Sequence, residues 1–231
     1  MKVAYSNDLH DQSAERTISS AKVIAPLVYN VVKPNSVIDI GCGHGYWLRE
    51  FQLLGTSEIQ GIDGDYISKD SLAIPPSKFT AYDLNTPLIV ERQYDLAMSI
   101  EVAEHLNPES SNHFVESLCK LSNIVLFSAA IPGQPGHCHI NANWPDFWAD
   151  KFSQHGYTGF DFIRPQIWHK EELLLCHRQN VVIYVHCSIA QTDKWKHLPT
   201  LNCLTLIDID SIKYLLGPRE SAKRILRRFI G

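Results

Sequence analysis

The chain lacks a long apolar run. No stretch of its 231 residues approaches the roughly 20 consecutive apolar residues that a membrane-spanning helix needs. The first segment, MKVAYSNDLHDQS, has no apolar run after its lysine, so it does not match a secretory signal peptide. The sequence therefore predicts a cytoplasmic protein.

An excess of basic residues is also missing. The chain has 21 Lys and Arg against 25 Asp and Glu, which gives a formal net charge of −4. Proteins that bind nucleic acids broadly present a basic field to the phosphate backbone. The composition therefore argues against nucleic acid as a partner, although a local basic patch remains compatible with it.

Paired cysteines are absent as well. The six cysteines form no Cys-x-x-Cys pair and are scattered at positions 42, 119, 138, 176, 187 and 203. In a cytoplasmic chain this pattern indicates free, mostly buried thiols rather than disulfides or a zinc site. With 45% hydrophobic residues the chain can bury a full core, and its length predicts one domain.

The chain does have a regular alternation of strand and helix patterns. Apolar and β-branched runs predict seven strands, at residues 37–40, 58–63, 78–84, 94–100, 124–130, 157–163 and 180–186. This order predicts an α/β fold, a doubly wound and mostly parallel seven-stranded sheet with helices on both faces.

Residues 13–33 have helical spacing, in which Pro26 predicts the start of a second helix. We expect a domain at 1–195 that includes the N-terminal helices of residues 1–34, followed by a helical tail at 196–231.

The first strand runs directly into a glycine-rich turn, VIDIGCGHGYW. Glycines at 41, 43 and 45 let the backbone turn sharply and approach a ligand closely. The dinucleotide pattern G-x-G-x-x-G fails at Tyr46, and no Lys-Ser/Thr follows to make a phosphate-binding P-loop.

This motif resembles that of the class I S-adenosylmethionine-dependent methyltransferases, and the resemblance covers roughly residues 35–190. It rests on VIDIGCGHG, on the acidic end of strand two in QGIDGDY, and on the acidic residue after strand three in TAYDLN. The resemblance implies a Rossmann-like methyltransferase fold with S-adenosyl-L-methionine as cofactor. It also implies these cofactor-binding residues: Asp39, Gly41, Gly43, Gly45, Asp63, Gly64, Asp83, Leu84 and Glu101.

The roles follow from the positions in that resemblance. Asp63 is expected to accept hydrogen bonds from the ribose hydroxyls, and Asp83 from the adenine amino group beside Leu84. Asp39 is expected near the cationic amino group of the methionine moiety. A sulfonium already carries an activated methyl group, so the protein must align the acceptor and remove its proton if it is a hydroxyl.

The stretch EVAEHL after strand four is open to two interpretations. Glu-x-x-Glu-His resembles the metal-binding motif of ubiquinone-biosynthesis and small-RNA methyltransferases, which implies a divalent ion such as Mg²⁺ or Mn²⁺ on Glu101, Glu104 and His105. We expect these three residues to form one helical turn. Many class I methyltransferases carry a similar motif without metal, where it lines the pocket; His105 is then a pocket residue. The absence of Asn/Asp-Pro-Pro-Tyr argues against DNA-base amines as acceptors.

The loop after strand five carries further candidates. His137 and His139, together with His105, are the predicted catalytic residues, because an imidazole can act as a general base near neutral pH. Either loop histidine can alternatively complete a metal shell. Asn141 and Asn143 offer groups that recognise hydroxyls. The segment is similar to small bacterial methyltransferases of glycan and natural-product clusters, which implies a hydroxyl of a saccharide or other small molecule as acceptor.

The C-terminal stretch ESAKRILRRFIG has the spacing of a basic amphipathic helix. It predicts peripheral contact with an anionic membrane or, alternatively, packing on its own domain or on the second subunit of a homodimer. Two alternative functions remain open at this stage. One is a small-RNA 2′-hydroxyl methyltransferase with a Glu-Glu-His metal site, and the other is a non-catalytic cofactor-binding partner subunit.

Overall fold

The computed structural model describes residues 7–200, with side chains from residue 14 onward. Its helices are α1 Asn7–Val32, α2 Tyr46–Leu53, α3 Ser111–Leu121, α4 Pro145–Gln154, α5 Arg164–Ile167, α6 Leu175–Asn180 and α7 Cys187–Ala190. Its strands are β1 Ser36–Ile40, β2 Glu58–Asp63, β3 Phe79–Ala81, β4 Leu96–Ile100, β5 Ile124–Ser128, β6 Tyr157–Phe160 and β7 Val182–His186. The basic stretch at the C-terminus and Cys203 lie outside the described residues.

The strands form a seven-stranded sheet in the order β3-β2-β1-β4-β5-β7-β6. The pairs among β1 to β5 are parallel, whereas β7 runs antiparallel to both β5 and β6. The predicted fold class is therefore confirmed. Because Val182 pairs with Phe127, the chain enters β7 at the edge of the sheet where β5 ends.

Two apolar clusters cover the two faces of the sheet. On one face, α1 and α2 pack through residues such as Ile24, Val28 and Phe51. On the other face, α3 and α4 contribute Phe114, Leu118, Trp148 and Phe152. Burial of large apolar side chains, each worth roughly 1.5–3 kcal/mol, holds the helices on the sheet and leaves the strand ends to form the site.

The prediction of a second helix at Pro26 is wrong. One continuous helix, α1, runs through Pro26. Proline removes the hydrogen bond to the carbonyl of Lys22, but Lys22 is exposed, so water can satisfy that carbonyl. The fully buried neighbours Ile24, Ala25 and Val28 supply the packing that keeps the helix intact.

The chain continues to pack on the sheet after β7. Trp195 is 1% exposed and lies against Phe160, and Thr200 forms a bridge with the same strand residue. The domain boundary predicted near residue 195 stays a prediction, because the remainder of the tail lies outside the described residues. Within residues 7–200, no helix has both the length and the apolar content to cross a membrane.

Candidate active site

The glycine turn between β1 and α2 adopts the left-handed backbone region. Gly41, Gly43 and Gly45 have φ angles of 85°, 51° and 80°. A Cβ at Gly41 would lie 2.3 Å from Cγ2 of Val102, so no larger residue fits there. A Cβ at Gly43 would meet no protein atom within 4 Å. The turn is therefore packed on its inner side and open on the side where a ligand can approach.

Asp63 at the end of β2 ties this turn to the sheet. Its Oδ2 accepts a hydrogen bond from the Gly43 amide at 2.7 Å. Its Oδ1 accepts from the Gly64 amide at 2.6 Å and from the Tyr66 hydroxyl at 2.5 Å. The carboxylate thus fixes the shape of the turn and faces the adjoining cleft.

Asp39 is a buried carboxylate without a complete set of partners. It is 2% exposed in β1, and its Oδ1 accepts no hydrogen bond. Burial, followed by the nearby charge of Asp63, raises the pKa of Asp39 to about 8. A cationic group bound close to Asp39 would supply the missing partner and favour the ionised form.

A cleft of 1160 Å³ opens along the carboxyl ends of the parallel strands. Six of the nine predicted cofactor residues line it: Gly41, Asp63, Gly64, Asp83, Leu84 and Glu101. Of the other three, Asp39 is buried in β1, Gly43 lines a neighbouring cavity, and Gly45 precedes α2. The residues present fit S-adenosylmethionine, because the orphaned Asp39 oxygen suits its ammonium group and the open side of Gly43 leaves room for it.

Asp83 and Leu84 form the far end of the cleft. Asp83 is exposed, and its Oδ1 accepts from the amide and the side chain of Asn85, which lowers the pKa of Asp83. Leu84 is buried beside it. This pairing of a carboxylate and an apolar side chain suits the polar edge and the flat face of an adenine ring.

The local geometry after β4 differs from the predicted helical turn. Glu101 precedes the turn with a φ of 55°, and only Ala103–His105 forms a short 3-10 helix. The Glu101 carboxylate accepts from Gln134 at 2.8 Å and from Asn180 at 3.1 Å. These amides hold Glu101 away from the position that a regular helix would give it, so the one-turn expectation is wrong.

The arrangement that could hold a metal comprises Glu104, His105 and His139, whose ligand atoms all lie within 4.8 Å of one another. The predicted set had Glu101 as its third ligand, and the observed set has His139 in its place. Glu104 is fully buried, and neither of its oxygens has a hydrogen-bond partner. Burial and the Glu101 carboxylate raise the pKa of Glu104 to about 9. A divalent cation would supply Glu104 with its missing partner, so the donor set fits one.

The hydrogen bonding of His139 decides its tautomer. Its Nδ1 lies 3.1 Å from the carbonyl oxygen of Gln134, which can only accept, so Nδ1 carries the proton and Nε2 keeps a lone pair. The His105 ring lies 5.0 Å from the His139 ring, centre to centre. Burial, followed by the proximity of His139, lowers the pKa of His105. Nε2 of His139 and the ring of His105 can thus accept a proton or bind a metal.

A second cavity, of 390 Å³, adjoins the cleft. The two share Gly41, Glu101 and His105, while Glu104 and His139 line only the second. His137, by contrast, is exposed and lines the larger cleft. The structure therefore separates the two loop histidines that the sequence pattern grouped together.

The two loop asparagines have internal partners. The buried Asn141 side chain donates to the Ala103 carbonyl and to the Ser111 hydroxyl, and Asn143 donates to Asn141. They brace the turn that carries Glu104, whereas sequence reasoning expected them to recognise hydroxyls. Gln134 and Asn180 were not predicted; the only signal for Asn180 is its place in RQNVVIYV, directly before a strand.

Comparison with known proteins agrees with this geometry. A family described as a methyltransferase domain matches residues 16–170. The chain belongs to that family. The resemblance to class I S-adenosylmethionine-dependent methyltransferases is confirmed. A search of curated protein sequences gave no match.

Solved structures share the fold of this methyltransferase at low sequence identity. DesVI of Streptomyces venezuelae has 12% identity and a TM-score of 0.58, with 80% of this chain and all of DesVI covered. The sugar N-methyltransferase KedS8 of a Streptoalloteichus species has 10% identity and a TM-score of 0.58, covering 80% of this chain and 94% of its own. The methyltransferase domain of the bacterial CtHen1-CN has 21% identity and a TM-score of 0.52. The match covers 74% of this chain and 98% of the CtHen1-CN domain.

Proposed function

We propose that this methyltransferase transfers a methyl group from S-adenosylmethionine to a hydroxyl of a saccharide or another small metabolite. The observation that carries the proposal is the cavity beside the cofactor cleft, where His105 and His139 face a space large enough for a small ring. The similarity of the fold to the sugar N-methyltransferase KedS8 supports a saccharide as acceptor, while the choice of a hydroxyl rests on the two histidines.

The cofactor, when bound, supplies a methyl group activated on a sulfonium. Asp63, Gly64 and Asp83 are placed to hold its nucleoside part at the strand ends, and Asp39 is placed to balance its ammonium group. Glu101, held by Gln134 and Asn180, stands at the junction of the two cavities. Contacts of this kind would orient the donor toward the cavity that contains His139.

His139 supplies the base in this scheme. Its Nδ1–H donates to Gln134, so the unprotonated Nε2 can accept the proton of an acceptor hydroxyl as the methyl group transfers. His105 lies against His139, and its lowered pKa keeps it uncharged near neutral pH. A second cationic ring would otherwise oppose protonation of His139.

A metal-assisted reaction is the second candidate. The arrangement of Glu104, His105 and His139, with its unpartnered buried carboxylate, favours it. Mg²⁺ or Mn²⁺ held there would lower the pKa of an acceptor hydroxyl, including the 2′-hydroxyl of a small RNA. The fold similarity to the CtHen1-CN methyltransferase domain is compatible with this alternative.

The experiment is a methyl-transfer assay that follows product mass. The protein is treated with EDTA and supplied with S-adenosylmethionine and a panel of uncharged saccharides or a short RNA, with and without added Mg²⁺ or Mn²⁺. Transfer to a saccharide in EDTA supports the proposal. Transfer only to RNA, and only with metal, would replace it by the second candidate. Cofactor binding without transfer to any acceptor would instead support a non-catalytic cofactor-binding partner subunit.

A further inference from the structure

The smaller cavity is lined in part by side chains that have no role in the proposed chemistry. Trp47 of α2 and His177 of α6 both line it, and their rings meet edge to face with centres 5.4 Å apart. His177 is 4% exposed, and its Nδ1 has no hydrogen-bond partner. Nδ1 is enclosed by protein atoms, so the ring meets a ligand in the cavity through Nε2, where a hydrogen bond would add affinity.

The charges around the cavity limit what it can hold. Among the described residues that line it there is no Lys or Arg, whereas Glu101 and Glu104 both face it. A phosphate there would meet the Glu101 carboxylate and no Lys or Arg of the described residues, which is unfavourable in a partly desolvated site. Phosphorylated sugars and RNA therefore fit this cavity poorly.

We propose that this cavity is the acceptor subsite, that it takes an uncharged ring bearing hydroxyl groups, and that His177 determines specificity by hydrogen-bonding one of those hydroxyls. The inference rests on the proposed function and adds to it the charge class of the acceptor and a recognition residue. His177 sits on the segment that enters β7, far in sequence from the motifs predicted to hold the cofactor.

Burial makes His177 a suitable recognition group. It lowers the pKa of His177 to about 4, so the ring is uncharged at neutral pH and offers one donor and one acceptor. Because Nδ1 is enclosed by protein atoms, a hydroxyl in the cavity pairs with Nε2. The apolar surface of Trp47 beside it suits the carbon face of a sugar ring.

The test measures binding separately from methyl transfer. Saturation-transfer NMR on the full chain saturated with S-adenosylhomocysteine screens a panel of methyl glycosides, glucose 6-phosphate and a short RNA. His177→Phe keeps the ring against Trp47 but removes its nitrogens. His113→Phe is the matched control, because His113 also has a buried unpartnered nitrogen, yet lies on α3 and lines neither cavity.

We expect at least one methyl glycoside to bind the wild type and neither phosphorylated probe to bind. In His177→Phe the dissociation constant of that glycoside rises about tenfold, as expected for one lost hydrogen bond, whereas His113→Phe leaves it unchanged. Affinity for S-adenosylhomocysteine is the same in all three proteins.

The inference is overturned if no glycoside binds, if a phosphorylated probe binds equally well, or if His177→Phe binds the glycoside like wild type. The proposed function is judged by transfer alone. A glycoside that binds in a His177-dependent way without being methylated would refute the proposed function and leave the subsite intact. A glycoside that is methylated equally well by wild type and His177→Phe would refute only the inference.

Discussion

The two cavities of this methyltransferase are built in different ways. The cofactor cleft is formed mostly by strand ends and the turns that follow them, from Gly41 to Glu101, so neighbouring residues in sequence share one task. The acceptor cavity borders the same glycine turn and the segment after β4, and it gathers further residues from α1, α2, the loop after β5, and α6. Donor binding is thus a property of local motifs, whereas acceptor recognition depends on tertiary packing.

The sharpest test of this division is the pair of loop histidines. In His139→Ala we expect kcat to fall about 100- to 10,000-fold, the usual contribution of a general base, with the affinity for S-adenosylmethionine retained. His137→Ala should reduce kcat far less, because His137 lines only the cofactor cleft. Steady-state kinetics checks both, and equal losses in the two variants would contradict the separation of roles.

The second test removes the carboxylate that braces the cofactor turn. In Asp63→Ala the affinity for S-adenosylmethionine should fall about 100-fold or more, since charge-assisted hydrogen bonds to Gly43 and Gly64 are lost. Asp83→Ala should cost less, because that exposed carboxylate pairs only with Asn85. Isothermal calorimetry gives both dissociation constants. A larger loss of affinity in Asp83→Ala than in Asp63→Ala would contradict the role assigned to Asp63.

The third test uses the raised pKa of Asp39. Below its pKa of about 8 the carboxyl is protonated in the free protein, while a bound ammonium group favours the ionised form. Binding should therefore release a proton at pH 7, and affinity should rise about fiftyfold from pH 6 to pH 8. Calorimetry in buffers of different ionisation enthalpy measures the released proton. Asp39→Asn should bind without that release; if it keeps the pH dependence, another group is responsible.

The smallest effect concerns Tyr66, whose hydroxyl already donates a hydrogen bond to Oδ1 of Asp63. Tyr66→Phe frees that oxygen for a ribose hydroxyl and should tighten cofactor binding about two- to tenfold, the value of one hydrogen bond. Fluorescence titration with S-adenosylmethionine measures the change. Weaker binding would mean that Tyr66 supports the nucleoside instead of competing with it.

The difference between the two cavities also explains which features could be predicted from the sequence. The glycine turn, Asp63 and Asp83 follow strands whose patterns are local, so both the fold and the cofactor residues follow from short stretches. The contact between Glu101 and Asn180 joins residues 79 apart, and no local pattern encodes it. The expected helical turn was wrong for the same reason, because distant amides hold Glu101 in a left-handed conformation.

The antiparallel direction of β7 affects how the segment that lines the acceptor cavity can vary between relatives. A strand that runs against its neighbours begins where they end, so the segment before it reaches the ligand edge without crossing the sheet. Residues 174–179 can therefore be exchanged for those of a relative while the donor-binding motifs stay untouched and Asn180 keeps its bond to Glu101. The segment that carries His177 is therefore separate in sequence from the donor-binding motifs.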